Sequence, residues 1–177
     1  MGILKTTYGK ILVCLIVATM LFIFIQSAIP SEESKKESDA VGEIVEEVVE
    51  VIVPDNPSFA DLVKKNIRKI AHFVEFGALG LECGILLLLS FVSLKKSKDS
   101  LGKPAAVRYL ISYSAAFCGF GLLVGLLDES IQTLSDRGPS ISDVWLDFLG
   151  FLSFFSVFML VSLGIMALRR LRSSQKK

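Results

Sequence analysis

Four long apolar runs constrain the fold of this chain more than any other feature of its sequence. They span residues 11–29, 70–94, 109–127 and 148–168, and all but the second contain no charged residue. About 20 apolar residues in a helix cross a hydrocarbon core of about 30 Å. The chain is also 52% hydrophobic, with a mean hydropathy of +0.60. We therefore expect an all-α membrane protein with four transmembrane helices. We expect residues 1–177 to form a single membrane domain, with no separate soluble catalytic domain among them.

The first run shares one property with a signal peptide, since Lys5 and Lys10 precede it. The run is long, however, and the bulky Gln26 makes a poor small-x-small cleavage site with Ala28, so we expect a retained anchor.

Three cysteines lie inside apolar runs without CxxC spacing: Cys14, Cys83 and Cys118. This pattern favours small apolar side chains over a metal site or a disulfide framework.

The segregation of charge predicts the topology. The N-terminus, the segment 95–108 and the tail 169–177 are basic, whereas residues 30–66 are acidic. Because Lys and Arg collect in cytoplasmic loops, we expect both termini inside and the loops 30–69 and 128–147 outside. The basic residues need no nucleic acid to explain them. The basic tail also suits an anionic inner leaflet.

The first outer loop contains two patterns typical of amphipathic helices. In VGEIVEEVVEVIV, starting at Val41, apolar residues recur at helical spacing and glutamates take the opposite face. The second pattern opens with a possible capping box, Ser58 to Asp61, and runs into the second span. Both helices can rest on the outer membrane surface without any chemistry.

The second span begins with polar residues in RKIAHFVEFGALG, which starts at Arg68 and contains the only histidine, His72. Spacings of four, three, four and three place Arg68, His72, Glu75, Leu79 and Glu82 on one helical face. Ionisable groups in a membrane usually face the protein interior and mark function. Glu82 lies deepest, and we expect it only to pair with a group on another span.

A second polar cluster flanks the outer loop in LLDESIQTLSDRGPSISDVWLDFLG. The topology brings this cluster to the same level of the membrane as the first. Ser140 to Asp143 forms a possible capping box for the fourth span. Snorkelling cations and helix-dipole partners explain some of these residues singly, but not all of them together. The candidate functional residues are Arg68, Lys69, His72, Glu75, Asp128, Glu129, Gln132, Arg137, Asp143 and Asp147.

These motifs together resemble the VanZ-like family of bacterial membrane proteins. The family shows Lys/Arg-x-x-His-Phe-x-Glu-Tyr/Phe-x-x-Leu-Gly, matched from Lys69 to Gly80. It then shows Asp-Glu-x-x-Gln, an arginine turn, Asp-Val, and Asn or Asp before a glycine, matched from Asp128 to Gly150. One departure is that Ser135-Asp136 replaces the Pro-Gly before Arg137. The resemblance implies a cell-envelope protein of the bacterial plasma membrane, with a role in low-level resistance to the lipoglycopeptide teicoplanin.

The residues leave several functions open. The first is binding of an envelope lipid, lipid-linked wall precursor or glycopeptide, in which Arg suits phosphate or carboxylate. The alternative is an outer-leaflet enzyme using acid–base or metal-assisted chemistry on a lipid-linked or phosphorylated substrate. A transporter is the least favoured, because only Glu82 is deep. The sequence leaves catalytic residues, cofactor, metal and oligomeric state unassigned.

Four glycines are expected to permit close helix approach: Gly119, Gly121, Gly125 and Gly150.

Overall fold

The structure, a computed structural model, describes residues 3–52, 57–97, 102–135 and 140–174. These residues are helical almost throughout and include no strand. A short 3-10 helix, Ile3–Lys5, precedes the α-helices. The α-helices are α1 (Thr7–Ala28), α2 (Ser31–Ile52), α3 (Pro57–Ser97), α4 (Lys103–Leu134) and α5 (Ile141–Ser174). The all-α prediction is thus confirmed.

Four of these helices are long and apolar enough to cross a membrane. The candidate spans are Thr7–Ala28, Leu62–Lys95, Lys103–Leu134 and Ile141–Arg169. Their outward surfaces carry large apolar side chains; Leu160 of α5, for example, is 72% exposed. Exposed apolar surface on this scale suits contact with lipid rather than water. The chain is therefore a multi-pass membrane protein in contact with the bilayer.

The helices extend beyond the apolar runs. α4 continues past residue 127 to Leu134, and α5 already begins at Ile141. Most of the segment 128–147, expected as a loop, is therefore helical. The reason is that a continued helix keeps backbone groups hydrogen-bonded while polar side chains of these turns point into the bundle. The Ser135 N–H closes α4 by donating to the Gln132 carbonyl at 3.0 Å.

The acidic segment before the second span forms α2, a helix of 22 residues that packs against α3. Lys64 Nζ of α3 donates to Glu46 Oε2 at 2.6 Å and joins the two helices. Val41, Ile44 and Val48 remain exposed on α2. The helical reading of this segment is confirmed. The side chains of the predicted capping box, Ser58 to Asp61, lie outside those that the structure describes.

α3 occupies the centre of the bundle and packs against each of the other α-helices. Its buried face presents Phe76, Leu79, Cys83 and Leu87, none more than 1% exposed. The rings of Phe151 and Phe155 on α5 stack with centroids 5.9 Å apart and extend this core. The remaining core residues come from α1, α4 and α5: Leu12, Ile16, Ile23, Val124 and Met159.

Two glycines allow α3 and α5 to approach to backbone contact. A Cβ added at Gly80 would overlap the Phe151 carbonyl group of α5. Conversely, a Cβ added at Gly150 would overlap the Phe73 carbonyl group of α3. Small residues at such crossings are the usual means by which membrane helices pack closely. The expectation for Gly150 is confirmed, and Gly80 is its partner on α3.

The three glycines of α4 differ in how closely other residues approach them. A Cβ at Gly121 would lie 2.7 Å from the Phe151 ring, so this glycine also admits a neighbouring helix. At Gly125 the nearest atom, the Val144 carbonyl oxygen, would be 3.7 Å away, which is ordinary contact. The prediction for Gly119 is wrong, because no described atom would come within 4 Å of its Cβ. Gly119 is exposed on the surface of α4.

Candidate functional site

One end of the bundle gathers the polar residues from four helices. The last turn of α1 brings Ser27, the first half of α3 brings His72, the last turns of α4 bring Asp128, and the first turns of α5 bring Asp147. We call this region the polar end, and it comprises the following residues: Ser27, Arg68, Lys69, His72, Glu75, Asp128, Glu129, Gln132, Ser140, Asp143 and Asp147. Asp128 and Asp147 are 0% and 1% exposed, so their carboxylates lie inside the protein. Buried carboxylates are costly unless they are paired, hydrogen-bonded or bound to a metal ion.

Asp128 is the centre of a hydrogen-bond network that joins three helices. Ser27 Oγ of α1 donates to Asp128 Oδ1 at 2.5 Å. Gln132 Nε2, one turn further along α4, donates to Asp128 Oδ2 at 2.6 Å. Arg68 Nη2 of α3 donates in turn to Gln132 Oε1 at 3.0 Å. Charge-assisted bonds of this kind are stronger than neutral ones, so the network holds Asp128 in a defined orientation.

His72 lies between two carboxylates. Its Nδ1 is 3.9 Å from Glu75 Oε2, one turn ahead on α3, and 4.0 Å from Asp128 Oδ2 on α4. The His72 side chain is only 14% exposed. The predicted shared face of His72 and Glu75 is therefore present, and Asp128 adds a carboxylate from a second helix. An imidazole in such surroundings can carry a proton or hold a metal ion.

Asp147 completes this group from α5. One atom each from His72, Asp128 and Asp147 lie within 4.8 Å of one another. Asp147 Oδ2 accepts no hydrogen bond from any residue in the described ranges. The contact between Gly150 and Phe73 explains the placement, because Gly150 lies one turn after Asp147 and Phe73 directly follows His72. The close crossing of α3 and α5 thus brings the two side chains together.

Glu129 has a structural contact that the sequence did not predict. Its Oε1 accepts a hydrogen bond from the Ser140 backbone N–H, at the start of α5. Ser140 Oγ accepts from the Asp143 N–H at 3.3 Å, so the predicted cap is present in one half. The reciprocal half comes from Glu129, rather than from Asp143. Glu129 therefore links the end of α4 to the beginning of α5.

The two remaining cations of the predicted cluster are placed differently. Lys69 Nζ lies 3.8 Å from Asp143 Oδ1 at the rim, with the Lys69 side chain 59% exposed. Arg137 lies outside the described residues. The structure thus brings together Arg68, His72, Glu75, Asp128, Gln132 and Asp147, whereas Lys69, Glu129 and Asp143 form the adjoining contacts to the start of α5.

A cavity of 150 Å³ opens beside His72, between α1, α2 and α3. Arg68, His72 and Glu75 contribute to its wall from α3. The other polar lining residues were not among the sequence candidates: Gln26, Ser34 and Ser38. Ser27, which bonds Asp128, was missed as well. The available signal was the pair Gln26-Ser27, which is polar at the very end of an otherwise apolar span.

Glu82 lies away from this network, deeper along α3. Its Oε1 accepts a hydrogen bond from Thr19 Oγ1 of α1 at 2.9 Å. The expectation that Glu82 pairs with a group on another span is therefore confirmed. The bond joins α1 to α3 in the middle of the bundle.

A comparison with known protein families supplies the identification. The family model described as VanZ/LLP1 matches residues 12–164, well over half of the chain. The chain belongs to the VanZ/LLP1 family. No curated protein sequence and no solved structure matches it. The resemblance to VanZ-like proteins is thus confirmed, and the four apolar helices make this a membrane protein of VanZ type.

The VanZ-type motif of α3 divides into two sets of residues in the structure. His72 and Glu75 point to the polar end, where they meet Asp128. Phe76 and Leu79 are fully buried in the core, and Gly80 admits the backbone of α5. The motif therefore combines a polar cluster with the packing that positions it.

Proposed function

We propose that this VanZ-type protein binds the phosphate-bearing headgroup of an envelope lipid or lipid-linked wall precursor at its polar end. The observation that carries this proposal is the cavity beside His72. Arg68 lines this cavity together with polar residues that can donate hydrogen bonds and with one acidic residue: Gln26, Ser34, Ser38, His72 and Glu75. Arg has five N–H donors in a fixed fork that matches phosphate, and one Arg68 nitrogen is engaged by Gln132.

The size of the cavity favours a headgroup over a whole drug. Pockets for drug-sized ligands usually measure about 300–1,000 Å³, whereas this cavity measures 150 Å³. A complete lipoglycopeptide does not fit such a space, but a phosphate group does. The proposed ligand is therefore an envelope amphiphile, and protection against teicoplanin would follow from an altered lipid or precursor supply at the membrane surface.

A second, apolar cavity suits the hydrocarbon part of such a ligand. It measures 300 Å³ and lies between α1, α3 and α4. Its walls include Ile16, Leu86, Phe117 and Phe120. An amphiphile needs both a polar and an apolar site on one protein, and α1 and α3 contribute to both cavities.

We place the polar end on the extracytoplasmic side of the plasma membrane. The opposite end of the bundle carries basic residues at the described helix ends, which the charge rule assigns to the cytoplasm: Lys95, Lys103, Arg108, Arg169 and Arg172. A membrane-impermeant thiol reagent applied to intact cells tests this assignment. We expect Glu33→Cys to be labelled and Gly102→Cys to be protected, with the wild type as the background control. Labelling in the reverse order would overturn the assignment.

The lipid proposal is tested by a pair of neighbouring charge changes. Purified full-length protein in detergent is titrated with a polyprenyl phosphate, and binding is followed by native mass spectrometry. Arg68→Gln removes the cation in the cavity wall, and we expect at least about tenfold weaker binding, or about 1.4 kcal/mol. Lys69→Gln removes the same charge from the exposed rim and serves as the control. Equal effects of the two changes, or none, would contradict the proposal.

The same variants connect the site to the envelope. We expect wild-type protein to raise the teicoplanin tolerance of a sensitive host, and Arg68→Gln and His72→Ala to abolish the effect at matched membrane levels. If the wild type gives no protection while lipid binding is measurable, the binding proposal stands and the link to this drug is wrong.

A second candidate function is catalysis on the same phosphorylated lipids. The observation that favours it is the His72 imidazole, with carboxylate oxygens of Glu75 and Asp128 at 3.9 and 4.0 Å. A histidine oriented by carboxylates is a common general base or acid. Turnover of a polyprenyl pyrophosphate by the purified wild type, lost in His72→Gln, would support catalysis. Binding of that substrate by folded protein without turnover would refute it.

A further inference from the structure

The polar end carries more negative than positive charge among the residues that the structure describes. Its carboxylates are Glu75, Asp128, Glu129, Asp143 and Asp147. The two permanent cations are engaged elsewhere: Arg68 donates to Gln132, and the exposed Lys69 lies near Asp143. Neither forms an ion pair with Asp147, which is 1% exposed. A buried carboxylate without a hydrogen bond at one oxygen is costly, so a proton or a cation is expected to neutralise it.

The geometry points to a cation. We propose that His72, Asp128 and Asp147 bind one divalent transition-metal ion, with Zn²⁺ as the best match. Each residue comes from a different helix, and one donor atom of each lies within 4.8 Å of the others. An imidazole nitrogen with two carboxylate oxygens suits Zn²⁺ or Mn²⁺, whereas Mg²⁺ and Ca²⁺ prefer oxygen ligands alone. The unbonded Oδ2 of Asp147 supplies an independent indication, because a buried acceptor within the group lacks a donor.

Binding of the ion requires the three ligand atoms to move closer together. Two ligands of a tetrahedral Zn²⁺, each at about 2.1 Å from the ion, lie about 3.4 Å apart. The separation of 4.0 Å between His72 Nδ1 and Asp128 Oδ2 exceeds this value by about 0.6 Å. An atom pair at the outer limit of 4.8 Å would need to close by about 1.4 Å.

The surrounding hydrogen bonds are those expected of an outer ligand shell. Ser27 and Gln132 donate to the two oxygens of Asp128 and fix its orientation. Such outer partners orient ligating carboxylates, and their loss typically costs about 10–100-fold in metal affinity. His72 also lines the 150 Å³ cavity, so the ion would border the space where the ligand is proposed to bind.

The experiment measures metal binding directly, without lipid. Purified full-length protein in detergent is stripped with a chelator, titrated with Zn²⁺ by calorimetry, and assayed for bound zinc by mass spectrometry. We expect one ion per chain for the wild type. For Asp147→Asn and His72→Gln we expect a loss of affinity greater than the roughly 10–100-fold that an outer-shell change costs. Glu82→Gln is the matched control, because it neutralises a bundle carboxylate outside the ligand group and should bind Zn²⁺ like the wild type.

A second measurement on the wild type keeps the test decisive if a variant fails to fold. Saturating Zn²⁺ stabilises only the folded protein, so at about 100-fold excess over Kd the Tm should rise by at least about 5 °C and fall again on chelation. Failure of the wild type to bind Zn²⁺ or Mn²⁺ would overturn the proposal and leave protons as the neutralising charge. An equal loss in Glu82→Gln and Asp147→Asn would overturn the assigned ligands. Arg68→Gln should still bind one ion per chain, with at most the roughly 10–100-fold loss of affinity that an outer-shell change costs, so the metal site and the proposed lipid site succeed or fail separately.

Discussion

The contact between Gly150 and Phe73 gives the sharpest prediction about the bundle. In Gly150→Ala, the new methyl group would lie 3.0 Å from the Phe73 carbonyl carbon, and closer still to the carbonyl oxygen. The opposing atoms belong to the backbone of α3, so no side-chain rotation relieves the overlap. The two helices must separate instead.

The size of the effect follows from this separation. Ordinary contact begins at 3.4 Å, so the contact with the Phe73 carbonyl carbon alone requires α3 and α5 to move apart by 0.4 Å, the difference between 3.4 and 3.0 Å. The closer carbonyl oxygen requires a larger separation. A radial gap of about 0.5–1 Å forfeits about a quarter to a half of the dispersion energy at each affected contact. Overpacking of this kind usually costs about 1–3 kcal/mol. We therefore expect Gly150→Ala to lower the free energy of unfolding by about 1–3 kcal/mol.

Gly119→Ala is the matched control. It makes the same chemical change within a helix, but no described atom lies within 4 Å of the added methyl group. Helix propensity alone then favours alanine by roughly 0.5–1 kcal/mol, so this variant should be as stable as the wild type or more stable. Reversible unfolding of the purified protein in mixed micelles, followed by circular dichroism, measures both values. Equal stabilities of the two variants would refute the claim that backbone contact between α3 and α5 holds the bundle together.

Three further changes test the polar contacts between helices, each by the same unfolding assay. Ser27→Ala removes a donor from the fully buried Asp128 carboxylate, and we expect a loss of about 1.5–3 kcal/mol; an unchanged stability would mean that this bond contributes nothing. Thr19→Val keeps the side-chain shape but removes the hydroxyl that donates to Glu82. We expect the free energy of unfolding to fall by about 1–3 kcal/mol. The double variant Thr19→Val, Glu82→Leu removes both polar groups and should recover most of this loss. Lys64→Met breaks the partly exposed pair with Glu46 and should cost less than about 1 kcal/mol; a larger loss would show that α2 depends on this pair for its attachment.

Much of the candidate site could be predicted from the sequence, because residues on one face of a helix recur at a regular spacing. Spacings of three and four along α3 place His72 and Glu75 on one face, and spacings of four relate Asp128 to Gln132. The alternation of apolar runs then brings the two segments to the same end of the bundle. Those steps need no knowledge of tertiary contacts.

The hydrogen bonds that α1 donates to the other helices could not be predicted in this way. Ser27 and Thr19 are weakly polar residues in an apolar helix, and such residues are common without any partner. Their bonds to Asp128 and Glu82 depend on which face of α1 packs against α3 and α4. The expectation for Gly119 failed for the same reason, because a glycine in a span does not reveal whether a helix lies opposite it.

By itself, the sequence determined the class, the number of spans and the polar residues, since these follow from apolar length and helical period. Only the tertiary structure decided how the helices cross. Backbone contact at Gly80 and Gly150 positions α5 against α3, and this contact sets Asp147 beside His72. The physical reason is that periodicity defines a face of each helix, whereas the partner of that face depends on the simultaneous packing of all the helices.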